Sequence, residues 1–196
     1  MKMADTQQID LFAPALLPGL DYAADFLNEA EEADLIEQIN AAPLTPFRFQ
    51  QWTGKRLTTS YGWTYDFENG HFGPTDPMPN WLLPIRDRAA RFAGLAPELL
   101  IQALLIRYDI GAGIGWHRDR PVFDQVVGIS LGAGAPMRFR RRTQSGFDRR
   151  TVPLEPRSIY QLSGEVRQEW EHSIAEMEVP RWSITFRSLK NRRDGA

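Results

Sequence analysis

From about residue 100 onward, apolar residues fall in short runs set off by Gly, Pro or Ser, rich in β-branched and aromatic side chains. The runs at 102–108, 125–131, 137–142, 157–162, 167–174 and 181–187 each read as a strand, and their even spacing predicts a sandwich or barrel. Upstream the spacing lengthens to that of helices. Asn28 and Glu31 make a capping-box start for a helix with Leu35, Ile36 and Ile39 on one face, ended by Pro43. Asn80 is expected to cap a second helix carrying Trp81, Leu82, Ile85 and Phe92, with Pro84 in its first turn. A further strand is expected at 58–65, between the two. The chain therefore reads as mainly β with flanking helices (α+β), the helices packed on one face of a β core.

No internal repeat or low-complexity linker interrupts the 196 residues, so one domain over 1–196 is the simplest organisation. The absence of cysteine excludes disulfides, thiolate metal sites and cysteine nucleophiles, and leaves His, Asp and Glu as metal ligands. The first twenty residues, broken by Pro14 and Pro18, suit neither a signal peptide nor a membrane span, and a cytoplasmic protein is expected. A net charge of −2 names no partner, although the distribution is uneven. Acidic residues gather between Asp25 and Glu37, as on a solvated helix face. Arginines gather between Arg138 and Arg150.

His117-Arg118-Asp119 places an imidazole and a carboxylate two positions apart, on one face of an extended segment. His172 lies 53 positions beyond Asp119 in another expected strand. Two histidines and one carboxylate on one side of a cation suit non-haem iron(II) oxygenases. The pair alone also fits a satisfied core or surface contact. The third histidine, His71, reads as a loop residue. Near the end, Arg181, Ser183, Thr185 and Arg187 share one strand face. Pointing inward, an arginine there needs an anion such as a dicarboxylate; on an edge strand both would lie in solvent.

The ordered set Tyr108, Gly111, His117-x-Asp119, Ile129-Ser130-Leu131-Gly132, Gly164 with Arg167, His172 and Arg181-x-x-x-x-x-Arg187 resembles the AlkB-like dioxygenases. The resemblance implies a double-stranded β-helix (jelly-roll) core over 101–189, after an extension over 1–100 of helices and substrate lid. It implies iron(II) held by His117, Asp119 and His172, with 2-oxoglutarate and dioxygen as cosubstrates. Arg181, helped by Tyr108, is then expected at the distal carboxylate of 2-oxoglutarate, Ser183 beside it, and Arg187 nearer the metal. Ile106 and Ser183 stand where the family often has Asn. Pro121 stands where DNA-repair members carry an acidic residue, which puts base recognition of that kind in doubt. The implied reaction decarboxylates 2-oxoglutarate to succinate and hydroxylates a substrate carbon, releasing formaldehyde when that carbon is an N-methyl group.

In this family the region before the second helix covers the substrate. Here it holds Phe47, Phe49, Trp52, Lys55, Arg56, Tyr61, Trp63 and Tyr65, which suit base stacking and phosphate contact. Tyr61, Trp63 and Tyr65 equally suit ordinary cross-strand packing. Arg120 and the hairpin arginines Arg140, Arg141 and Arg142 are candidate substrate contacts. Because 20 of the 23 basic residues are arginine, such clusters also arise from composition. The expected function is oxidative demethylation of alkylated DNA or RNA bases, in repair or modification. The alternatives are hydroxylation of a protein or small metabolite, and a metal-binding β-barrel that senses a ligand. Gln8-Ile9-Asp10-Leu11-Phe12 looks like a peptide that docks on the bacterial sliding clamp.

Overall fold

Asn28 and Glu31 close the capping box that their spacing predicts. Asn28 Oδ1 accepts from the Glu31 N–H and Glu31 Oε2 accepts from the Asn28 N–H, each at 2.9 Å. The helix that follows belongs to a computed structural model that describes residues 17–49, 52–65, 70 and 72–190. The segment Gln8-Ile9-Asp10-Leu11-Phe12, His71 and the side chains of Phe49 and Trp52 lie outside the described residues.

In chain order the elements are β1 (Leu20–Ala23), α1 (Glu29–Ala41), β2 (Thr45–Phe49), β3 (Trp52–Tyr61), β4 (Trp63–Tyr65), β5 (Phe72–Pro74), α2 (Leu83–Phe92) and β6 (Leu100–Tyr108). They continue with β7 (Ile114–His117), β8 (Phe123–Gly132), β9 (Ala135–Thr143), β10 (Gly146–Leu154), β11 (Ile159–Leu162), α3 (Gly164–Gln168), β12 (Glu171–Ile174) and β13 (Arg181–Leu189). A seven-stranded sheet runs β1-β11-β8-β13-β6-β3-β2, a four-stranded sheet runs β10-β9-β12-β7, and β4 pairs with β5. Pairing within each sheet is antiparallel. This is the jelly-roll architecture, mostly strand, that the resemblance implies.

Strand alternation sorts the apolar residues of the large sheet onto two faces. Leu105, Val127, Ile129, Ile184 and Phe186 join one apolar cluster with Leu35 and Ile39 of α1 and Ile85 and Ala89 of α2. Ile106, Tyr108 and Val126 face the other way and join Met137, Phe139 and Ile174 of the smaller sheet. Each fully buried Leu, Ile or Phe contributes about 1.5–3 kcal/mol, so the two clusters hold the sheets and helices in fixed register. The functional residues sit at the open end of the second cluster.

Four expectations need correction. The segment before residue 100 supplies β1, β2 and β3 to the large sheet, so the extension and the core share one sheet. The run at 58–65 is two strands, because Gly62 takes φ +78° and a side chain there would collide with the Ile101 carbonyl. The run at 167–174 begins as the short helix α3, and strand resumes only at Glu171. Asn80 does not cap α2. It opens a short 3-10 turn, Asn80–Leu82, that has no side-chain cap, and Pro84 falls in the first turn of α2. Among the described residues, no helix is long and apolar enough to cross a membrane.

Candidate active site

β13 lies at the centre of the large sheet, between β8 and β6, which excludes the solvent-facing edge strand that its sequence also allowed. Register brings Arg181 beside Tyr108 and Gly132, Ser183 beside Ile106 and Ser130, and Arg187 beside Gln102 and Val126. Alternation turns Arg181, Ser183 and Arg187 toward the interior, where Arg181 is 1% exposed. In the smaller sheet β12 pairs with β7, so His172 stands opposite His117. Asp119 follows β7 by two residues and completes the group.

The ligand atoms of His117, Asp119 and His172 lie within 4.8 Å of one another. The two imidazole centroids are 4.3 Å apart, and His172 Nε2 is 3.7 Å from Asp119 Oδ2. His117 Nδ1 lies 2.9 Å from the Gly115 carbonyl oxygen. That contact fixes the ring and frees Nε2 for the site. Arg187 donates from Nε to Asp119 Oδ1 at 2.9 Å and from Nη1 to Gln102 Oε1 at 3.1 Å, and its other terminal nitrogen forms an ion pair with Asp119 Oδ1 at 2.8 Å. Gln102 in turn donates to the Trp63 carbonyl. Arg167 of α3 donates to the carbonyls of Arg120 and Phe123, which pins the loop that carries Asp119.

Electrostatics suit these groups to a cation. Burial alone would raise the Asp119 carboxyl, but Arg187, then His172 and His117, outweigh it and hold the group below the usual carboxylate range. Burial lowers His117. Burial and the neighbouring His117 push His172 down to about 3. Two neutral imidazoles and an ionised carboxylate are the protonation states that ligation requires.

Arg181 donates to Ser130 Oγ at 3.2 Å, while its Nε and Nη1 are buried without a partner. A guanidinium buried in that state calls for an oxyanion. Tyr108 stands beside it, with the guanidinium carbon 5.2 Å from its ring centroid. Two nitrogens and one carboxylate oxygen for a divalent metal, with an unsatisfied arginine in the same cleft, fit iron(II) and a dicarboxylate. The cleft encloses about 1230 Å³. Tyr160 lines the cleft from the same sheet as Arg181; its ring occupies the space above Gly128, and burial pushes its phenol up to about 12.

The expected substrate residues separate. Arg56 and Tyr65 line the cleft, and Arg120 lies over the Tyr65 ring with its guanidinium carbon 3.6 Å from the centroid. Lys55, the neighbour of Arg56, points out to solvent and lies 3.8 Å from Glu176. Tyr61 packs against the helix-side cluster, and Trp63 stacks on Phe72 at 5.0 Å. None of these three lines the cleft, and alternation along β3 sets Tyr61 on the face opposite Arg56. Arg140, Arg141 and Arg142 do not form one surface either. Arg141 shares the face of buried Phe139 and is held by Glu165, Glu169 and Asp148. Arg140 and Arg142 project from the opposite face, where Arg140 meets Glu171 and lies over Trp116, and Arg142 lies near Phe147. Sequence reasoning missed Gln102, Tyr160 and Trp116. In sequence all three look like ordinary strand residues, and only cross-strand pairing shows which way they face.

A model of the 2OG-Fe(II) oxygenase superfamily matches residues 19–193. The chain is 29% identical over 170 residues to the tRNA (carboxymethyluridine(34)-5-O)-methyltransferase alkbh8 of Xenopus tropicalis, covering 84% of this chain and 26% of that protein. It is 27% identical over 213 residues to the alkylated DNA repair protein ALKBH8 homolog of Arabidopsis thaliana, covering 89% of this chain and 59% of that protein. The chain thus spans less than two thirds of these curated relatives. The solved structure of OsALKBH1 superposes with a TM-score of 0.66 at 16% identity, over 87% of this chain and 96% of that one. With a family model covering most of its length, the chain belongs to the 2OG-Fe(II) oxygenase superfamily, and the relatives it matches make it AlkB-like within that superfamily.

Proposed function

We propose that this chain oxidises alkylated bases in nucleic acid, with iron(II) held by His117, Asp119 and His172 and 2-oxoglutarate anchored at Arg181. The observation that carries the reading is the buried pair of unpartnered nitrogens on Arg181, in the same cleft as the three metal-ligand candidates. When bound, iron(II) with 2-oxoglutarate and dioxygen supplies oxidation of a substrate C–H bond coupled to formation of succinate and carbon dioxide. The protein's part is orientation. Arg181, with Ser130, Tyr108 and Ser183 around it, receives the distal carboxylate, and Arg187 holds Asp119 ionised and in place. Tyr160 lines the cleft and Phe139 packs beside the His172 ring, which limits water near the reacting atoms.

A nucleic-acid substrate is supported by the names of the Xenopus and Arabidopsis relatives, which act on tRNA and on alkylated DNA. A metal-binding sensor barrel accounts for the three ligands but leaves Arg181 without a reason. Hydroxylation of a protein or metabolite keeps the same site and differs only in what enters the cleft. Release of succinate and formaldehyde across N-methylated DNA and tRNA substrates separates these readings. Formaldehyde is expected in step with succinate on at least one nucleic acid. Succinate release stimulated only by peptides or small metabolites would reject the nucleic-acid reading. On this reading the protein is cytoplasmic, and Gln8-Ile9-Asp10-Leu11-Phe12 is a candidate contact with a sliding clamp.

The outer face of the smaller sheet offers a path for the rest of the strand. Arg138 and Arg140 lie over Trp116, and Arg140, Arg142 and Arg149 surround Phe147. Trp116 also lines the cleft, which makes that face continuous with its mouth. Alanine at Arg138, Arg140 and Arg142 together is expected to weaken oligonucleotide binding and to flatten its log–log salt dependence by roughly 0.7–0.9 for each phosphate-binding arginine removed. Arg141→Ala, on the other face, should leave the slope as it is. An unchanged slope in the triple variant would remove this face from the account.

A further inference from the structure

Arg56 is 7% exposed and lines the cleft, yet no carboxylate pairs with it among the described residues. Its guanidinium carbon lies 3.8 Å from the Phe47 ring centroid, an aromatic contact that orients the group without neutralising it. Its charged or ionisable neighbours include Tyr108, Arg187 and His117, none of them an anion for it, and Arg187 is a second cation already committed to Asp119. A buried cation in such company is costly unless an anion joins it. β3 pairs with β6 so that Leu57 faces Arg107. Arg56, one position on, therefore comes beside Tyr108, on the side of that tyrosine away from Arg181 and β13.

The two carboxylates of 2-oxoglutarate are accounted for, one at Arg181 and one at the metal, so Arg56 is left for a third oxyanion. Resting on the nucleic-acid reading above, we propose that Arg56 binds an oxyanion of the substrate itself, either the phosphate flanking the target nucleotide or a carboxylate on its base. The guanidinium fork presents parallel N–H donors to either group, and the Phe47 ring keeps the fork in plane. Specificity then comes from a charge read inside the cleft, in addition to stacking.

The test compares wild type with R56Q and with the charge-retaining R56K. Two pairs of short single-stranded RNA probes are used. One pair carries 5-carboxymethyluridine or its uncharged methyl ester. The other carries an N-methylated base with either a phosphodiester or a neutral methylphosphonate on its 5′ side. Wild type is expected to bind the charged member of one pair about tenfold more tightly, the scale of one charge-assisted hydrogen bond. R56Q should lose that preference and R56K should keep part of it, and the pair that responds identifies the source of the anion. Inorganic phosphate provides an arm independent of nucleic acid, and it is expected to raise the thermal midpoint of wild type more than that of R56Q. A phosphate effect without any RNA binding would keep the anion site and reject the nucleic-acid reading. The proposal is overturned if R56Q matches wild type with phosphate and with both probe pairs. It is equally overturned if R56Q loses as much affinity for 2-oxoglutarate as for the probes, because Arg56 would then serve the cosubstrate.

Discussion

Asp119→Ala protein is expected to lose 2-oxoglutarate-dependent succinate formation by more than about 100-fold, the upper range for losing even an outer partner of a metal ligand. The side chain has two tasks. One oxygen accepts from Arg187 Nε and pairs with its terminal nitrogen, and the other lies 3.7 Å from His172 on the side of the metal-ligand cluster. Removing it deletes the only anionic donor of the group and leaves Arg187 buried without its carboxylate, which costs about 3–5 kcal/mol. Loss of stability and loss of chemistry must therefore be separated. His117→Ala supplies the separation, because among the described residues its ring hydrogen-bonds only to the Gly115 carbonyl and burial keeps it neutral, so that its removal strands no buried charge. It should remain folded by circular dichroism and still fail to turn over. Succinate formation at the wild-type rate by either folded variant would end the assignment of these residues to iron.

Arg181→Ala is expected to weaken 2-oxoglutarate binding by roughly 2–5 kcal/mol, as loss of one partner of a buried charge pair does. The position is sensitive for a structural reason. Arg181 is the largest of the fully buried side chains, and among the described residues its guanidinium donates only to Ser130. An added carboxylate would meet two nitrogens that have no other bond to give up. Arg181→Lys should recover only part of the loss, since a single ammonium cannot reproduce the fork. The measurement is a titration of 2-oxoglutarate into metal-loaded protein. Wild-type affinity in Arg181→Ala would place the distal carboxylate elsewhere.

How much of this was legible in the sequence depended on the distance over which each feature is determined. The His117 to Asp119 spacing and the alternation of Arg181, Ser183 and Arg187 are local, and the structure brings both sets to one cleft. The capping box at Asn28 is local too, and it formed. The neighbours that give those residues their properties are set by pairing between strands far apart in the chain. Gln102 reaches Arg187 because β6 lies beside β13, and Tyr160 covers the site because β11 brings it over Gly128. The same limit explains the hairpin. Arginines at 140, 141 and 142 look alike in sequence, but Phe139 fixes which face is interior, and α3 with the residue after it then supplies Glu165 and Glu169 to Arg141. Likewise Lys55 and Arg56 are adjacent, and only the pairing of β3 with β6 decides that Arg56 enters the cleft.

His117, Asp119, His172 and Arg181 line one cleft, and the proposal that the first three hold a metal while Arg181 takes a carboxylate of the same cosubstrate carries the whole functional reading. Calorimetric titration of 2-oxoglutarate into anaerobic wild-type protein, with and without Fe(II), tests it most directly. One equivalent of 2-oxoglutarate should bind per chain when iron is present, and binding should weaken sharply when iron is removed or when Asp119 is replaced by alanine. Equal affinity with and without iron, or no binding to the iron-loaded wild type, would contradict it.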